Sequence, residues 1–209
     1  ILEHSNSIDN KYYLQGDILN VLEAWDEFIK HVDVGETLSP TILIHDAFKS
    51  YTEEQFNGLA AWRKDYMIKN RRILEKYKDF IGPWYTKHKE LLSKREIYGK
   101  LEWQVGKVKE NDSIFNYFMQ IRQSGIRVRK ENYFPTLVAI SQIPIYGREK
   151  RYITPRECAR LQSFPDTYTI APNDKVSYKQ FGNSVNVKNV KTVIESTLNH
   201  YDLGNKDNE

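Results

Sequence analysis

Apolar residues Ile18, Leu19, Leu22, Trp25, Phe28, Ile29 and Val32 recur at the three- and four-residue spacing of one helix face. Asp17 stands where a side chain would cap that helix. The β-branched run at residues 40–44 reads as a short buried strand. Phe56, Leu59, Tyr66, Ile73, Leu74, Tyr77 and Phe80 form a second helical pattern, which Gly82-Pro83 is expected to end. Lys64, Lys69, Arg71, Arg72, Lys76 and Lys78 lie among those positions, so the pattern predicts a basic helix held by an apolar stripe. Its aromatic residues read as core rather than as platforms for bases. Residues 126–129 then alternate apolar and basic, as in a strand with one face on a core. A second extended segment is expected at 134–140. Joined by a short polar turn, the two predict a ribbon presenting Arg122, Arg127, Arg129 and Lys130 to a duplex; a surface hairpin is the alternative. A helix carrying Val190, Val193, Ile194 and Leu198 follows near the end, and the polar tail from Gly204 is expected to fray.

Charge changes this picture more than composition does. Hydrophobic residues make up 40% of the 209 positions and charged residues 28%, as in an ordinary globular chain. The net charge is +3, yet residues 1–60 hold 11 acidic against 3 basic side chains, and residues 61–100 hold 12 basic against 5 acidic. Such asymmetry suits a protein that turns one face to a polyanion, or else a solvated basic helix. No apolar run approaches the roughly 20 residues of a membrane helix, so no membrane partner and a cytoplasmic location are expected. The one cysteine, Cys158, excludes an internal disulfide framework and a thiolate metal cluster, and no metal site is expected. The first residue is Ile1 rather than methionine, as expected of a piece of something longer.

Two stretches carry specific signals. In the first, Thr154 is a good N-cap, Pro155 suits the first helical position, and Glu157 completes a capping box. Phe164, preceding Pro165, is biased out of the helical region, so the helix must stop there. Arg156 and Arg160 fall one turn apart, a clamp for DNA phosphate or for carboxylates of a neighbouring segment. In the second stretch, Tyr178-Lys179-Gln180-Phe181-Gly182-Asn183-Ser184-Val185, Gly182 suits a close backbone approach or a positive φ. Asn183 and Ser184 are expected at the start of the following helix, where free amides attract an anion.

Together the two stretches resemble the last two sequence blocks of the DNA cytosine-5 methyltransferase family, in order and separation. The match runs through Thr154-Pro155-Arg156-Glu157-Cys158-Ala159-Arg160-Leu161-Gln162 with Phe164-Pro165-Asp166, and through residues 178–185. Ser124-Gly125-Ile126-Arg127-Val128-Arg129 and Pro135-Thr136-Leu137 are similar to the end of that family's target-recognition region. Weaker similarity touches Trp25-Asp26-Glu27-Phe28 and Leu101-Glu102-Trp103-Gln104.

The resemblance implies transfer of a methyl group from S-adenosylmethionine to carbon 5 of cytosine in double-stranded DNA, in the setting of DNA methylation and restriction-modification. It implies an α+β fold: a small target-recognition domain plus the C-terminal helix of a Rossmann-like S-adenosylmethionine-dependent methyltransferase domain that is otherwise missing. On that plan residues 1–110 are mainly helical, 111–170 hold the DNA-reading strands and bracing helix, and 171–209 return to the catalytic domain. Phe181, Gly182, Asn183, Ser184 and Val185 would bind the cofactor. Arg122, Arg127, Arg129, Lys130 and Thr136 would contact DNA, while Thr154, Arg156, Glu157 and Arg160 would brace the small domain. The family's Pro-Cys nucleophile pair is missing, and Cys158 corresponds to a structural position, so no catalytic residue is assigned. Gln120-Ile121-Arg122 echoes a Gln-x-Arg-x-Arg block, but Ser124 replaces the last arginine and the block is not carried over. An isolated chain of this kind is expected to need a catalytic N-terminal half or subunit. The alternative is a DNA-binding module or remnant without activity.

Overall fold

The computed structural model describes residues 1–32, 51–94, 103–104, 112–122, 125–129, 133–139 and 142–201. The strand expected at 40–44, Lys130 and the frayed tail lie outside the described residues. The chain forms two compact units that interleave along the sequence. One comprises Tyr13–Pro135 with Pro144–Tyr152; the other comprises Ile1–Tyr12, Thr136–Ile143 and Ile153–Glu209.

The first unit is α+β. Helix α1 (Gly16–His31) buries Val21, Leu22, Trp25, Phe28 and Ile29, the face its apolar spacing predicts. Asp17 does not cap it: Gln15 is the N-cap, without a side-chain bond, and the Asp17 carboxylate accepts from Lys94 Nζ at 2.7 Å. Asp17 falls one position inside the helix, beyond the reach of a capping geometry. Helices α2 (Glu53–Asn57), α3 (Ala61–Lys76) and α4 (Lys78–Ser93) follow. The expected stop at Gly82-Pro83 is not a stop, because both residues lie inside α4 and the break falls earlier, at Tyr77. Proline disfavours the helical region for its predecessor by clashing with that residue's Cβ, and glycine has none. Buried Ile81 and Trp84 then hold the turn against the core. Trp84 donates from Nε1 to the Ala24 carbonyl at 3.0 Å, and its ring meets Phe28 edge-on at 4.7 Å.

A five-stranded sheet completes this unit in the order β1-β3-β2-β4-β5. The strands are β1 (Trp103–Gln104), β2 (Phe118–Arg122), β3 (Gly125–Val128), β4 (Ile145–Tyr146) and β5 (Arg151–Tyr152). Only β1 and β3 pair in parallel. The expected ribbon of 126–129 with 134–140 is not formed; β3 pairs with β2, Ile126 opposite Ile121 and Val128 opposite Met119. That register aligns two apolar faces, whereas the 134–140 segment carries Pro135, which cannot donate to a ladder. Met119, Ile126, Val128 and Ile145 join α1 and α4 in one core. Asp26 ties α1 to the turn before β2, accepting from Ser113 Oγ and the Ile114 N–H, both at 2.8 Å.

In the second unit the capped helix α5 (Pro155–Leu161) forms with both halves of its capping box present. It ends three residues before Phe164, and Ser163 turns the chain at φ 60°. Helices α6 (Asp174–Asn183) and α7 (Val187–His200) follow. Asn183 and Ser184 are therefore not at a helix start. They end α6, and Asn186 caps α7 by accepting from the Asn189 N–H at 3.1 Å. Ser184 is extended at ψ 158°, which interrupts the helical run that simple periodicity continues. The N-terminal segment is stitched to this unit: the Glu3 N–H donates to Glu157 at 2.9 Å, and Lys11 pairs with Asp174 at 2.7 Å.

Candidate functional site

The residues singled out in the sequence fall into two groups, one in each unit. In the sheet, Phe118, Gln120 and Arg122 alternate with Met119 and Ile121, and β3 alternates in register with them. Gln120 stands opposite Arg127 and Arg122 opposite Gly125, while the Arg129 N–H bonds the Phe118 carbonyl at 3.0 Å. Arg122, Arg127 and Arg129 consequently occupy the face opposite the core. All three are half-buried. Arg122 Nε donates to Gln120 Oε1 at 2.9 Å. The Nε atoms of Arg127 and Arg129 are buried and have no hydrogen-bond partner. Burial, with the charges of Arg127 and Arg129 added, pulls the Arg122 guanidinium below its ordinary value. No ion pair joins any of the three to a carboxylate among the described residues. Thr136 belongs to the other unit and is exposed, so it does not share a unit with these arginines.

In the helical unit the two sequence blocks meet. Gln162, at the end of α5, donates from Nε2 to the carbonyls of Phe181 (3.1 Å) and Ser184 (3.3 Å), and its own carbonyl accepts from the Val187 N–H at 2.9 Å. Asn186 Nδ2 donates to the Leu161 carbonyl at 2.9 Å. Gln162 thereby sets the shape of the 181–187 turn; the family block that ends on it marks the residue in sequence but not this contact. Phe181 is buried and packs edge-on against Phe164 at 5.5 Å. Gly182 is helical, so of its two readings the close approach is the one realised: a Cβ there would lie 2.3 Å from the Val138 carbonyl group. Asn183 is exposed, and Ser184 Oγ donates to the Phe181 carbonyl at 2.9 Å. Val185 is 66% exposed and leads into α7, which has no buried residue.

The helix of the first block, α5, places its charged residues against its own unit. Arg160 pairs with Asp166 at 2.7 Å and 3.1 Å and reaches the Ile1 carbonyl at 3.3 Å; Arg156 donates to the Tyr168 carbonyl at 3.0 Å. Glu157, fully buried, accepts from the Thr154 N–H at 2.8 Å. Cys158 is 1% exposed, and burial, with Glu157 beside it, pushes its thiol well up. A thiol held protonated and covered lacks the properties of an attacking thiolate. Among the described residues no cluster of three or more potential metal ligands occurs, and no helix is long and apolar enough to cross a membrane.

The family of C-5 cytosine-specific DNA methylases matches residues 13–199, and the chain belongs to that family. It is 33% identical over 142 residues to Type II methyltransferase M.AluI of Cellulosimicrobium cellulans, covering 65% of this chain and 26% of that protein. It is 54% identical over 59 residues to Type II methyltransferase M.HgiCI of Herpetosiphon aurantiacus, covering 28% of this chain and 14% of that protein. Over 56 residues it is 52% identical to Type II methyltransferase M.HpaII of Haemophilus parainfluenzae, covering 25% and 16% respectively. The chain thus spans 26% or less of the length of these relatives. No solved structure matches it significantly.

Proposed function

We propose that this chain is the C-terminal part of a cytosine-5 DNA methyltransferase, which recognises target DNA and completes an S-adenosylmethionine pocket supplied mainly by a catalytic N-terminal half. The observation that carries the reading is the arginine face. Three guanidinium groups share one side of a hairpin, and two of them bury an Nε with no acceptor. A buried donor left unpaired costs about 1–3 kcal/mol, more when it is charged. A phosphodiester beside these guanidinium groups would supply acceptors and a counter-charge where burial, with the charges of Arg127 and Arg129 added, lowers the Arg122 pKa. Lys130 and Thr136 are assigned to the same DNA contact on the family resemblance.

Phe181 to Val185 are assigned to the cofactor. Their fit is that of one wall: Gln162 holds the turn in shape, and Asn183 and Val185 are exposed at its surface. Asn183 and Ser184 would hold S-adenosylmethionine, which supplies the methyl group when bound. Thr154, Arg156, Glu157 and Arg160 keep the α5 block in place beneath that turn. Val190, Val193, Ile194 and Leu198 are exposed on α7, an apolar surface suited to a sheet of the catalytic half. The enzyme on this reading is cytoplasmic.

Methyl transfer from labelled S-adenosylmethionine to mixed-sequence DNA tests the proposal, with the chain alone and with the protein encoded immediately upstream. Activity only in the mixture is expected. Activity from the chain alone, or DNA binding whose salt dependence is unmoved by Arg127→Ala with Arg129→Ala, would refute it.

A further inference from the structure

On the sheet face opposite the core, the register of β2, β3 and β4 fixes a grid of side chains. Phe118 stands opposite Tyr146, and its ring meets that of Phe134 edge-on at 4.7 Å. Gln120 comes next on this face of β2, directly opposite Arg127. Arg122 is the last residue of β2, at the turn end of the hairpin and beyond the residues that pair with β1 and β4. Its cross-strand partner is Gly125, which has no side chain to share the space.

Gln120 is 1% exposed, whereas glutamine is mostly a surface residue. Its Oε1 accepts from Arg122 Nε at 2.9 Å, two residues along the same face. That bond fixes the plane of the guanidinium. With Nε engaged, the edge formed by Nη1 and Nη2 is the one able to take a further partner bidentately. Arg127 and Arg129 differ, because their buried Nε atoms make no hydrogen bond and no side chain aims them there. The carboxamide is also the right group for the purpose. A carboxylate at position 120 would orient Arg122 equally well but cancel its charge, while glutamine orients it and leaves the charge in force.

We infer that Gln120 is a positioning residue, holding Arg122 so that its Nη edge contacts one guanine in the major groove, while Arg127 and Arg129 contact phosphate. The inference rests on the proposal that this face meets DNA, and it divides the work among the three arginines. Phosphate oxygens accept from many directions, so a phosphate contact needs little aim and carries no sequence information. The O6 and N7 atoms of guanine lie in one plane and require two parallel donors held in that plane. A guanidinium already fixed on a strand loses little freedom in making such a contact, and its aim is set before the duplex arrives.

The test selects duplexes from a randomised pool with the full chain, alone and mixed with the protein encoded immediately upstream, then measures affinity for the selected site and its single substitutions. The site is expected to contain a guanine whose replacement by adenine weakens binding about 5- to 150-fold. Arg122→Ala should abolish that penalty at this one position. Gln120→Met, of similar size and without an acceptor, should reduce the same penalty and leave the slope of log K against log salt unchanged, since no charge is altered. Gln120→Glu keeps the acceptor and should retain the penalty at lower overall affinity. Arg127→Ala with Arg129→Ala should instead weaken all sequences alike and lower the slope by about 1.8. Circular dichroism confirms that each variant is folded, and a purely structural role for Gln120 would weaken every sequence equally. Uniform weakening by Gln120→Met and Arg122→Ala, or binding without sequence preference, overturns the inference and leaves the arginine face as a phosphate contact. Relaxation by Arg122→Ala but not by Gln120→Met overturns the role of Gln120. No DNA binding in either setting overturns the proposed function and this inference together.

Discussion

Replacing Gly182 with alanine adds one methyl group where α6 lies against residues 138–139. The new Cβ would stand 2.3 Å from both the carbon and the oxygen of the Val138 carbonyl and 2.5 Å from the Ala139 nitrogen. Comfortable carbon contacts lie at about 3.5–4 Å, so the two segments must separate by more than about 1 Å. Every obstructing atom is backbone, and no rotamer change relieves the clash. Overpacking costs about 1–3 kcal/mol, and an obstacle of this rigidity belongs at the upper end. The better helix propensity of alanine returns at most about 1 kcal/mol. The net expectation is a destabilisation of about 2 kcal/mol, which lowers a urea midpoint by about 1 M at a typical slope. All four tryptophans lie in the other unit, so the transition is followed by far-ultraviolet circular dichroism rather than tryptophan emission. Gly58→Ala is the matched control. Its Cβ would meet only carbonyl oxygens at 3.5 and 3.7 Å with φ at −73°, so it is expected to be neutral or to stabilise by about 0.4–1 kcal/mol. A Gly182→Ala protein as stable as the wild type would refute the close-approach argument.

Asp26→Ala removes the acceptor of the buried Ile114 N–H and the Ser113 hydroxyl, and urea denaturation should show a loss of about 1–3 kcal/mol. Thr154→Ala deletes the α5 cap and should cost about 1–2 kcal/mol in the same assay, whereas Thr154→Ser should recover most of it. Burial holds the Cys158 thiol and the Tyr178 phenol neutral in the folded chain, while the unfolded chain ionises them near their ordinary values of 9.0 and 10.0. The stability they contribute is fully present below those values and is lost above them, by about 1.4 kcal/mol per pH unit for each group. Urea midpoints measured from about pH 8 to about pH 10.5 should fall accordingly, and a flat profile would contradict it.

What could be read locally was legible in the sequence. The α5 start is written in Thr154, Pro155 and Glu157, because a capping box needs only residues three apart. The buried face of α1 follows from its apolar spacing, and the half-buried arginines on the other face of β3 follow from strict alternation with Ile126 and Val128. The family blocks were equally plain, since they are runs of adjacent residues. Where local signals competed, the tertiary structure chose. Gly82-Pro83 is a stop signal by composition, yet Ile81 and Trp84 bury beside it and keep α4 continuous. The partner of β3 is ambiguous in sequence because two candidate segments flank it, and only the match of Met119 and Ile121 to its apolar face selects β2.

Gly182, Gln162 and the interleaving of the two units are of another kind. Residues 1–12, 136–143 and 153 onward share one unit although a whole second unit is threaded between them. The sequence by itself determined the caps, the helix faces, the alternation that sets the arginines outward and the membership of the family. Only the tertiary structure decided which strand the arginines pair across, what Gly182 lies against and which residue holds the 181–187 turn. Those facts depend on contacts between residues remote in the chain, and a hydrogen bond from Gln162 to Phe181 leaves no trace in the neighbours of either.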